Sequence, residues 1–343
     1  MRLITYIIFL GVLNSYSLLG QTSLEDSIVS LTLTLSERAL YDARFEEAKE
    51  IVKLSYFENF KDYKIEHGIL LSIQKMRIDE IANNVFNKKP NYRENLNTLL
   101  KFLNDSNRIE DTEVLGQLFF TLSQVYLSND IRDSSLIYHD KSLSIYQAGR
   151  NFEKIAEIRA HDISIKHNMF FSNGDKEQII ELIPEYEKEI ESSKHYSKYV
   201  LAYNIRHLAQ IYRRQLLDYE KALELFKQSL ELRLEIGFKP YLPASYSSLG
   251  DVYMKMSEDN LAIEMYSESS KLAEEIGFIR YQLYPNLQIG DIYFNKQKKE
   301  KAYEYYIKAL KLASENNYSF GIDQSIERIE KLNITCGHKT LRR

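Results

Sequence analysis

Three short segments of this sequence share one pattern. Leu249–Tyr253 reads LGDVY, Ile289–Tyr293 reads IGDIY, and Leu208–Tyr212 reads LAQIY. In each segment a small residue precedes an aromatic ring by three positions, the spacing that puts both residues on one face of a helix. We predict that each segment belongs to the first helix of a repeated unit.

A companion segment follows each of the three. Glu220–Phe226 reads EKALELF, Asn260–Tyr266 reads NLAIEMY, and Glu300–Tyr306 reads EKAYEYY. Apolar residues at helical spacing make each companion an amphipathic helix, and its alanine allows the first helix to approach closely. The three alanines recur every 40 positions, at Ala222, Ala262 and Ala302. One unit is therefore predicted to be a hairpin of two helices.

The linker between units also repeats. Glu235–Phe238 and Glu275–Phe278 both read EIGF. Glycine adopts positive φ without steric cost and commonly ends a helix in this way. We expect the second helix of each unit to end at this glycine.

The repeated pattern resembles the tetratricopeptide-repeat (TPR) family of the exported bacterial type, in a long variant of about 40 residues rather than 34. The small-residue positions of the family fall on Ala209, Ala222, Ser229, Gly250, Ala262, Ser269, Gly290, Ala302 and Ala309. Its ring positions fall on Tyr212, Phe226, Tyr253, Tyr266, Tyr293 and Tyr306. The Trp position of the family is unoccupied, and its Pro at the end of a repeat is generally absent. The resemblance implies an all-α fold, a right-handed superhelical solenoid of antiparallel helix hairpins.

The match to this pattern varies along the chain. Residues 196–314 hold the three well-matched units, and residues 21–195 are predicted to form degenerate hairpins of the same kind, in which His139 occupies a ring position. Residues 315–334 align with a first helix that has no partner, and we predict a capping helix there. Residues 335–343 are expected to be a disordered basic tail.

The first 20 residues have the features of a secretory signal peptide. Arg2 supplies a positive charge, Leu3 to Leu13 is mostly apolar, and Ser15 to Gly20 is a run of small and apolar residues. We expect cleavage near Gly20 and export to the periplasm or the exterior. An anchor that stays uncleaved is the alternative, and no later stretch is apolar enough to cross a bilayer.

Composition argues against several classes of function. The formal net charge is -4 without a strongly basic block, so nucleic acid is not an expected partner. The single cysteine, Cys336, can form neither an internal disulfide nor a zinc quartet. His161 and His167 are six residues apart, not at the i, i+4 spacing of a zinc-binding helix. No phosphate-binding loop or nucleophile motif occurs, so we predict no catalysis, no cofactor and no metal.

The resemblance also implies a binding surface, because the first helices of such hairpins line a concave groove. The predicted groove residues follow the small residue of each unit or lie one turn from it: Gln124, Arg206, Gln210, Arg213, Ser247, Asp251, Met254, Gln288 and Asp291, with Leu287 and Phe294 beside them. Alternating polar and apolar groups suit an extended peptide. The Lys and Asn residues with which some members clamp the carboxylate of chaperone tails are replaced here by Gln, Asp and Ser.

Two functions fit this surface. The first is an exported scaffold that binds a peptide or protein partner in its groove. The alternative is a regulator similar to the repeat-containing sensory domains of bacteria, in which ligand binding changes the contact with an effector. An enzyme whose site lies within residues 60–195 is a third possibility, and the sequence makes no prediction of oligomeric state.

Overall fold

The computed structural model describes residues 24–55, 64–86, 88 and 91–332, and these form helices joined by short turns. No strand occurs within these ranges. The predicted all-α fold is confirmed. The predicted signal peptide at residues 1–20, Cys336 and the predicted tail at 335–343 lie outside the described residues.

The chain divides into two compact units, residues 1–84 with 88–204, and residues 85–87 with 205–343. The first unit contains nine α-helices among the described residues: α1 (Leu24–Tyr41), α2 (Phe45–Ser55), α3 (Ile65–Val85), α4 (Tyr92–Asn104), α5 (Thr112–Ser128), α6 (Arg132–Ala148), α7 (Phe152–Asn173), α8 (Lys176–Glu181) and α9 (Ile183–Ser193). The last residue of α3, Val85, is assigned to the second unit. Helix α10 (Lys198–Ile211) begins in the first unit and ends in the second.

The second unit continues with a π-helical turn at Tyr212–Leu216 and a short 3-10 turn at Lys239–Tyr241. Its remaining helices are α11 (Tyr219–Ile236), α12 (Leu242–Lys255), α13 (Asp259–Ile276), α14 (Ile279–Asn295), α15 (Lys299–Glu315) and α16 (Ser319–Lys331). Consecutive helices pack as hairpins, and α16 packs on α15 at the position predicted for a capping helix.

The turns between helices repeat as regularly as the sequence does. Inside the hairpins of the second unit one residue has positive φ, namely Leu217 (56°), Ser257 (63°) and Gln297 (57°). Between hairpins the corresponding residues are Gly237 (76°), Gly277 (74°) and Asn317 (52°). Both series recur every 40 positions. The predicted role of glycine in the EIGF linker is therefore confirmed, and in the second unit each turn inside a hairpin uses a left-handed residue other than glycine.

Hairpins in the two units use the same internal hydrogen bond. In the first unit Ser142 Oγ on α6 donates to the Gly116 carbonyl on α5 (2.8 Å). In the second unit Ser269 Oγ on α13 donates to the Pro243 carbonyl on α12 (2.7 Å). Each pair is separated by 26 residues, and all four residues are buried. The degenerate part of the chain thus keeps the hairpin geometry of the well-matched part.

His139 takes the place of a tyrosine ring in the α5–α6 hairpin and links it to α7. Its Nε2 lies 2.7 Å from Asp162 Oδ2, and its Nδ1 lies 3.1 Å from Asp140 Oδ1. The close contact with the Asp162 carboxylate raises the pKa of His139 above its ordinary value, with Asp140 adding to the effect. The neighbouring His161 is buried against the edge of the Phe120 ring, and its burial lowers its pKa.

The hairpin predicted at residues 151–193 has an interrupted second arm. Helix α7 ends at Asn173, where Gly174 has a φ of 79°. The return arm consists of α8 and α9, which are separated at Leu182 just before Pro184. Proline is tolerated here because the first N–H groups of a helix lack partners in any case. Within the described part of the chain, no helix is long and apolar enough to span a bilayer.

Candidate partner-binding face

The packing of the Tyr266 ring on Gly250 explains why glycine is followed by aspartate in the repeat. A Cβ atom at Gly250 would lie 2.7 Å from two carbon atoms of the Tyr266 ring, closer than real Cβ contacts allow. Tyr266 is 0% exposed, and its hydroxyl donates to Asp251 Oδ1 (2.8 Å). The glycine makes room for the ring, and the aspartate next to it accepts a hydrogen bond from the hydroxyl.

The following hairpin repeats this arrangement. Gly290 lies under the ring of Tyr306, and the Tyr306 hydroxyl donates to Asp291 Oδ1 (2.8 Å). Arg328 on α16 completes the site, since its Nε lies 3.0 and 3.1 Å from the two carboxylate oxygens. Burial raises the pKa of both tyrosines, and the nearby carboxylate adds to the effect. Both hydroxyls therefore remain protonated donors.

Asp251 joins three successive hairpins. Its Oδ1 also accepts a hydrogen bond from Tyr284 on α14 (2.9 Å). Its Oδ2 accepts from the guanidinium of Arg213, which lies in the π-helical turn directly after α10. Charged acceptors with several donors form strong, well-oriented hydrogen bonds when little solvent competes, and the Asp251 side chain is only 14% exposed. This carboxylate is held in one position.

Gln210 extends the network along α10. Its Oε1 accepts from Arg213 Nη2 (2.8 Å), which fixes the orientation of the side-chain amide. The Nε–H of Arg213 is buried and has no acceptor among the described residues. Gln210, Arg213 and Asp251 thus form a rigid polar group on the first helices of the second unit.

The end of α10 differs from the ends of the other first helices. Ala209 and Ala222 are 13 positions apart, whereas Gly250 and Ala262, like Gly290 and Ala302, are 12 apart. The additional residue is accommodated by the π-helical turn at Tyr212–Leu216. Such turns are uncommon and occur frequently at functional sites.

The π-helical turn places two adjacent arginines beside a third one. Arg213 and Arg214 lie in the turn, and Arg206 precedes Arg213 by seven residues, on the same face of the helix. Burial lowers the pKa of Arg214, and the positive charges of Arg213 and Arg206 lower it further, while Asp251 opposes them.

The predicted groove residues have different environments. Gln210, Arg213 and Asp251 are bonded to one another, and Asp291 belongs to the separate network with Arg328. Ser247 and Gln288 are buried, with 3% and 8% exposure. The remaining members are half-buried and lie outside these networks: Arg206 and Met254 in the second unit and Gln124 on α5 in the first.

Sequence reasoning missed Arg214, Tyr284 and Arg328. The extra residue between Ala209 and Ala222 was a visible signal for the altered turn. No pattern within one repeat marks Tyr284 or Arg328, because each contacts an aspartate of the preceding hairpin or helix pair.

A pocket of about 730 Å³ lies in the first unit between α1, α3 and the start of α5. Several of its polar side chains are engaged with one another or with the backbone. Asp26 contacts Lys64 and His67, and Glu66 accepts from the Glu110 N–H (2.8 Å). Among the residues described, no three His, Cys, Asp or Glu side chains converge in a way that would hold a metal ion.

These hairpins define a helical-repeat protein. Residues 200–275 and 285–316 match two models of the tetratricopeptide repeat, so the chain contains such repeats in these segments. Comparison with curated protein sequences gives no match.

Solved structures show the same fold. The chain is similar to the signal transduction ATPase with numerous domains from Pyrococcus horikoshii, a protein with a tetratricopeptide repeat sensor, at 16% identity and a TM-score of 0.59. That alignment covers 90% of this chain and 48% of the other, so this chain spans about half of that protein. NprR in complex with its cognate peptide NprX is similar over 89% of this chain and 88% of its own, at 15% identity and a TM-score of 0.52. Identities at this level show the fold alone.

Proposed function

We propose that this protein is an exported scaffold that binds a peptide or protein partner on the first helices of its second unit and carries out no catalysis. The rigid group of Gln210, Arg213 and Asp251 is the observation that carries the proposal. It holds hydrogen-bonding groups in fixed positions, which lowers the entropy lost when a partner binds. Met254 lies half-buried on the same helix as Asp251 and offers apolar contact.

Affinity capture with matched variants tests this function. The tagged protein is compared with an Arg206→Glu, Met254→Glu variant, which changes two half-buried side chains outside the Asp251 network. The control is Glu264→Lys, an exposed position on the second helix α13. Loss of a partner from the first variant and its retention by the control supports the proposal. Equal recovery of the same partners by all three proteins contradicts it.

Export is tested separately. Cell fractionation followed by N-terminal sequencing should find the protein outside the cytoplasm with a start at or near Gln21, as the apolar segment at 3–13 predicts. An intact Met1 in the exported fraction would instead support the uncleaved anchor. A purely cytoplasmic protein rules out export.

A peptide sensor is the second candidate, favoured by the similarity in fold to NprR, which was solved with its cognate peptide. A scaffold and a sensor differ in what binding does to the rest of the chain. Hydrogen exchange with and without the captured partner distinguishes them. Protection confined to α10, α12 and α14 indicates a scaffold, whereas changes that extend into the first unit indicate a sensor.

A further inference from the structure

Glu189 on α9 occupies a position that small residues fill in the hairpins of the second unit. The 40-residue period places it in register with three buried residues, Ser229, Ser269 and Ala309. Tyr186 on the same helix supports this register, because it lies 40 positions before Phe226 and is fully buried like that ring. The α7–α9 hairpin therefore carries an ionisable carboxyl group where the later hairpins carry a hydroxyl or a methyl group.

The carboxyl group of Glu189 is enclosed and incompletely paired. The residue is 4% exposed, and its Oε2 is buried without a hydrogen-bond donor among the described residues. Its Oε1 lies 3.8 Å from Nη1 of Arg159 on α7, which is longer than a hydrogen bond. The Arg159 side chain is 42% exposed, so solvent weakens its attraction for the carboxylate. At the matching position, by contrast, Ser269 donates its hydroxyl to the Pro243 carbonyl.

This enclosure favours the protonated form of Glu189. An ionised carboxylate that leaves water without full hydrogen bonding costs far more free energy than the neutral acid does. Burial accordingly raises the pKa of Glu189 above its ordinary value of 4.5, while Arg159 and Lys188 lower it and Glu185 raises it. Ionisation of this side chain is therefore coupled to its exposure to water.

The second arm of the hairpin can respond to this coupling. It is broken at Leu182 into α9 and the short helix α8, which has only six residues. Short helices are marginal by themselves and depend on packing, so segments of this kind open at a lower free energy than long helices. Helix α9 can thus separate from α7 without the unfolding of a long helix.

Other ionisable groups lie at the same interface. On α7 they include Lys166, which pairs with Glu185 of α9 (2.8 Å), and His167, whose Nδ1 lies 3.1 Å from the Tyr186 hydroxyl. The other charged residues of α8 and α9 are exposed: Lys176, Glu177, Glu181, Glu187, Lys188 and Glu191. Glu189 differs from all the other carboxyl groups on these two helices in being buried.

We propose that Glu189 is a proton-controlled switch of the α7–α9 hairpin, which is closed while the carboxyl group is protonated and opens when that group ionises. Because the pKa is raised in the folded state, the stabilising contribution is fully present below pH 4.5 and is lost as the pH rises through the folded value. Acidic surroundings therefore tighten the hairpin. The inference goes beyond the proposed function, since it concerns the first unit and needs no partner.

Hydrogen exchange of the full chain, followed by mass spectrometry, tests the switch. The measured quantity is the protection factor of the α9 amides, which corrects for the effect of pH on chemical exchange. In Glu189→Gln a neutral amide replaces the carboxyl group at every pH, and His167 is retained. The ratio of wild-type to Glu189→Gln protection should fall on the order of tenfold from about pH 4.5 to about pH 8, because one unit of pKa shift corresponds to a tenfold change.

Two further variants connect the effect to the buried carboxyl group. Glu187→Gln is the matched control, since it removes an exposed carboxyl group from the same helix and should keep the wild-type pH dependence. Arg159→Gln removes the cation that favours the ionised form, so its protection should fall more than that of the wild type over the same pH range. This second comparison leaves Glu189 unchanged and remains decisive where Glu189→Gln does not fold, which circular dichroism verifies.

Three results overturn the proposal. The first is a ratio of protection factors that does not change with pH. The second is higher protection of the wild type than of Glu189→Gln at about pH 8, because ionised Glu189 would then stabilise the hairpin through Arg159. The third is a smaller fall in Arg159→Gln than in the wild type. None of these results affects the proposed function, which is tested by partner capture on the second unit.

Discussion

The ring of Tyr266 covers Gly250 so closely that the backbone at position 250 leaves no space for a side chain. The contact buries the ring completely and delivers its hydroxyl to Asp251. Gly250 therefore has two roles. It allows the two helices of the hairpin to pack closely, and it positions the polar network of the candidate binding face.

Gly250→Ala should destabilise the second unit. The added methyl group would lie 2.7 Å from the Tyr266 ring, so the ring or the helix must shift, at a cost of about 1 to 3 kcal/mol. Thermal and urea unfolding followed by circular dichroism measure the change. Gly149→Ala is the control, since the nearest atom to a Cβ there is 3.5 Å away and φ is -78°. If the two substitutions have the same effect, the close packing at Gly250 is not significant for stability.

Tyr306→Phe should lower the free energy of unfolding by about 1 to 3 kcal/mol, because Asp291 loses a buried donor to its charged carboxylate. The ring and its packing over Gly290 are retained in this variant. Tyr305→Phe changes the adjacent tyrosine, whose ring stacks on Tyr293, and should have almost no effect. A loss of stability in the Tyr305 variant as large as that in the Tyr306 variant would contradict this role for the hydroxyl.

Gln297→Gly should stabilise the protein by up to about 1 kcal/mol. Gln297 has a φ of 57°, where a side chain is strained and glycine is not. Gly237 allows the reverse substitution to be tested, since it has a φ of 76° and no atom within 4 Å of a Cβ position. Gly237→Ala should therefore lower the melting temperature through backbone strain without a steric clash. Shifts of the same sign in both variants would show that turn strain does not control stability here.

The stability of the first unit should depend on pH through His139. Its pKa is raised in the folded state, so its stabilising contribution is fully present below the ordinary histidine pKa of 6.5 and is lost as the pH rises through the folded value. The ion pair with Asp162 contributes about 1 kcal/mol. The free energy of unfolding of the wild type should thus exceed that of His139→Gln mainly at acidic pH. His161 is present in both proteins, and burial, the main cause of its lowered pKa, is retained in the variant, while the smaller effect of the His139 charge on it is removed. A difference independent of pH would exclude this mechanism.

The 40-residue period was sufficient to predict the hairpins and the glycines between them. Gly237 and Gly277 have the expected left-handed conformation, and the alanines at 222 and 262 are fully buried between helices. These features are local, because each depends on residues within one hairpin and its adjoining turn. The sequence pattern of a single repeat is therefore sufficient to predict them.

The predicted groove residues stay a prediction, but the bonds that hold them depend on contacts between helices and between hairpins. Asp251 and Asp291, which were predicted to lie in the groove, each accept a hydrogen bond from the tyrosine hydroxyl of a residue 15 positions later. That spacing is the same in both hairpins and could have been read as an internal pair. The bonds from Arg213 and Tyr284 to Asp251 span 38 and 33 positions, and no single repeat contains them.

The shared carboxylate of Asp251 has a consequence for how the second unit comes apart. Its donors belong to the hairpin before it, to its own hairpin and to the hairpin after it. Unfolding of any one of these hairpins would therefore leave the partly buried carboxylate without one of its hydrogen-bond donors. Fraying of this region one hairpin at a time is therefore penalised, and the segment from α10 to α14 should open as a single cooperative block, with backbone amides that exchange at a common rate.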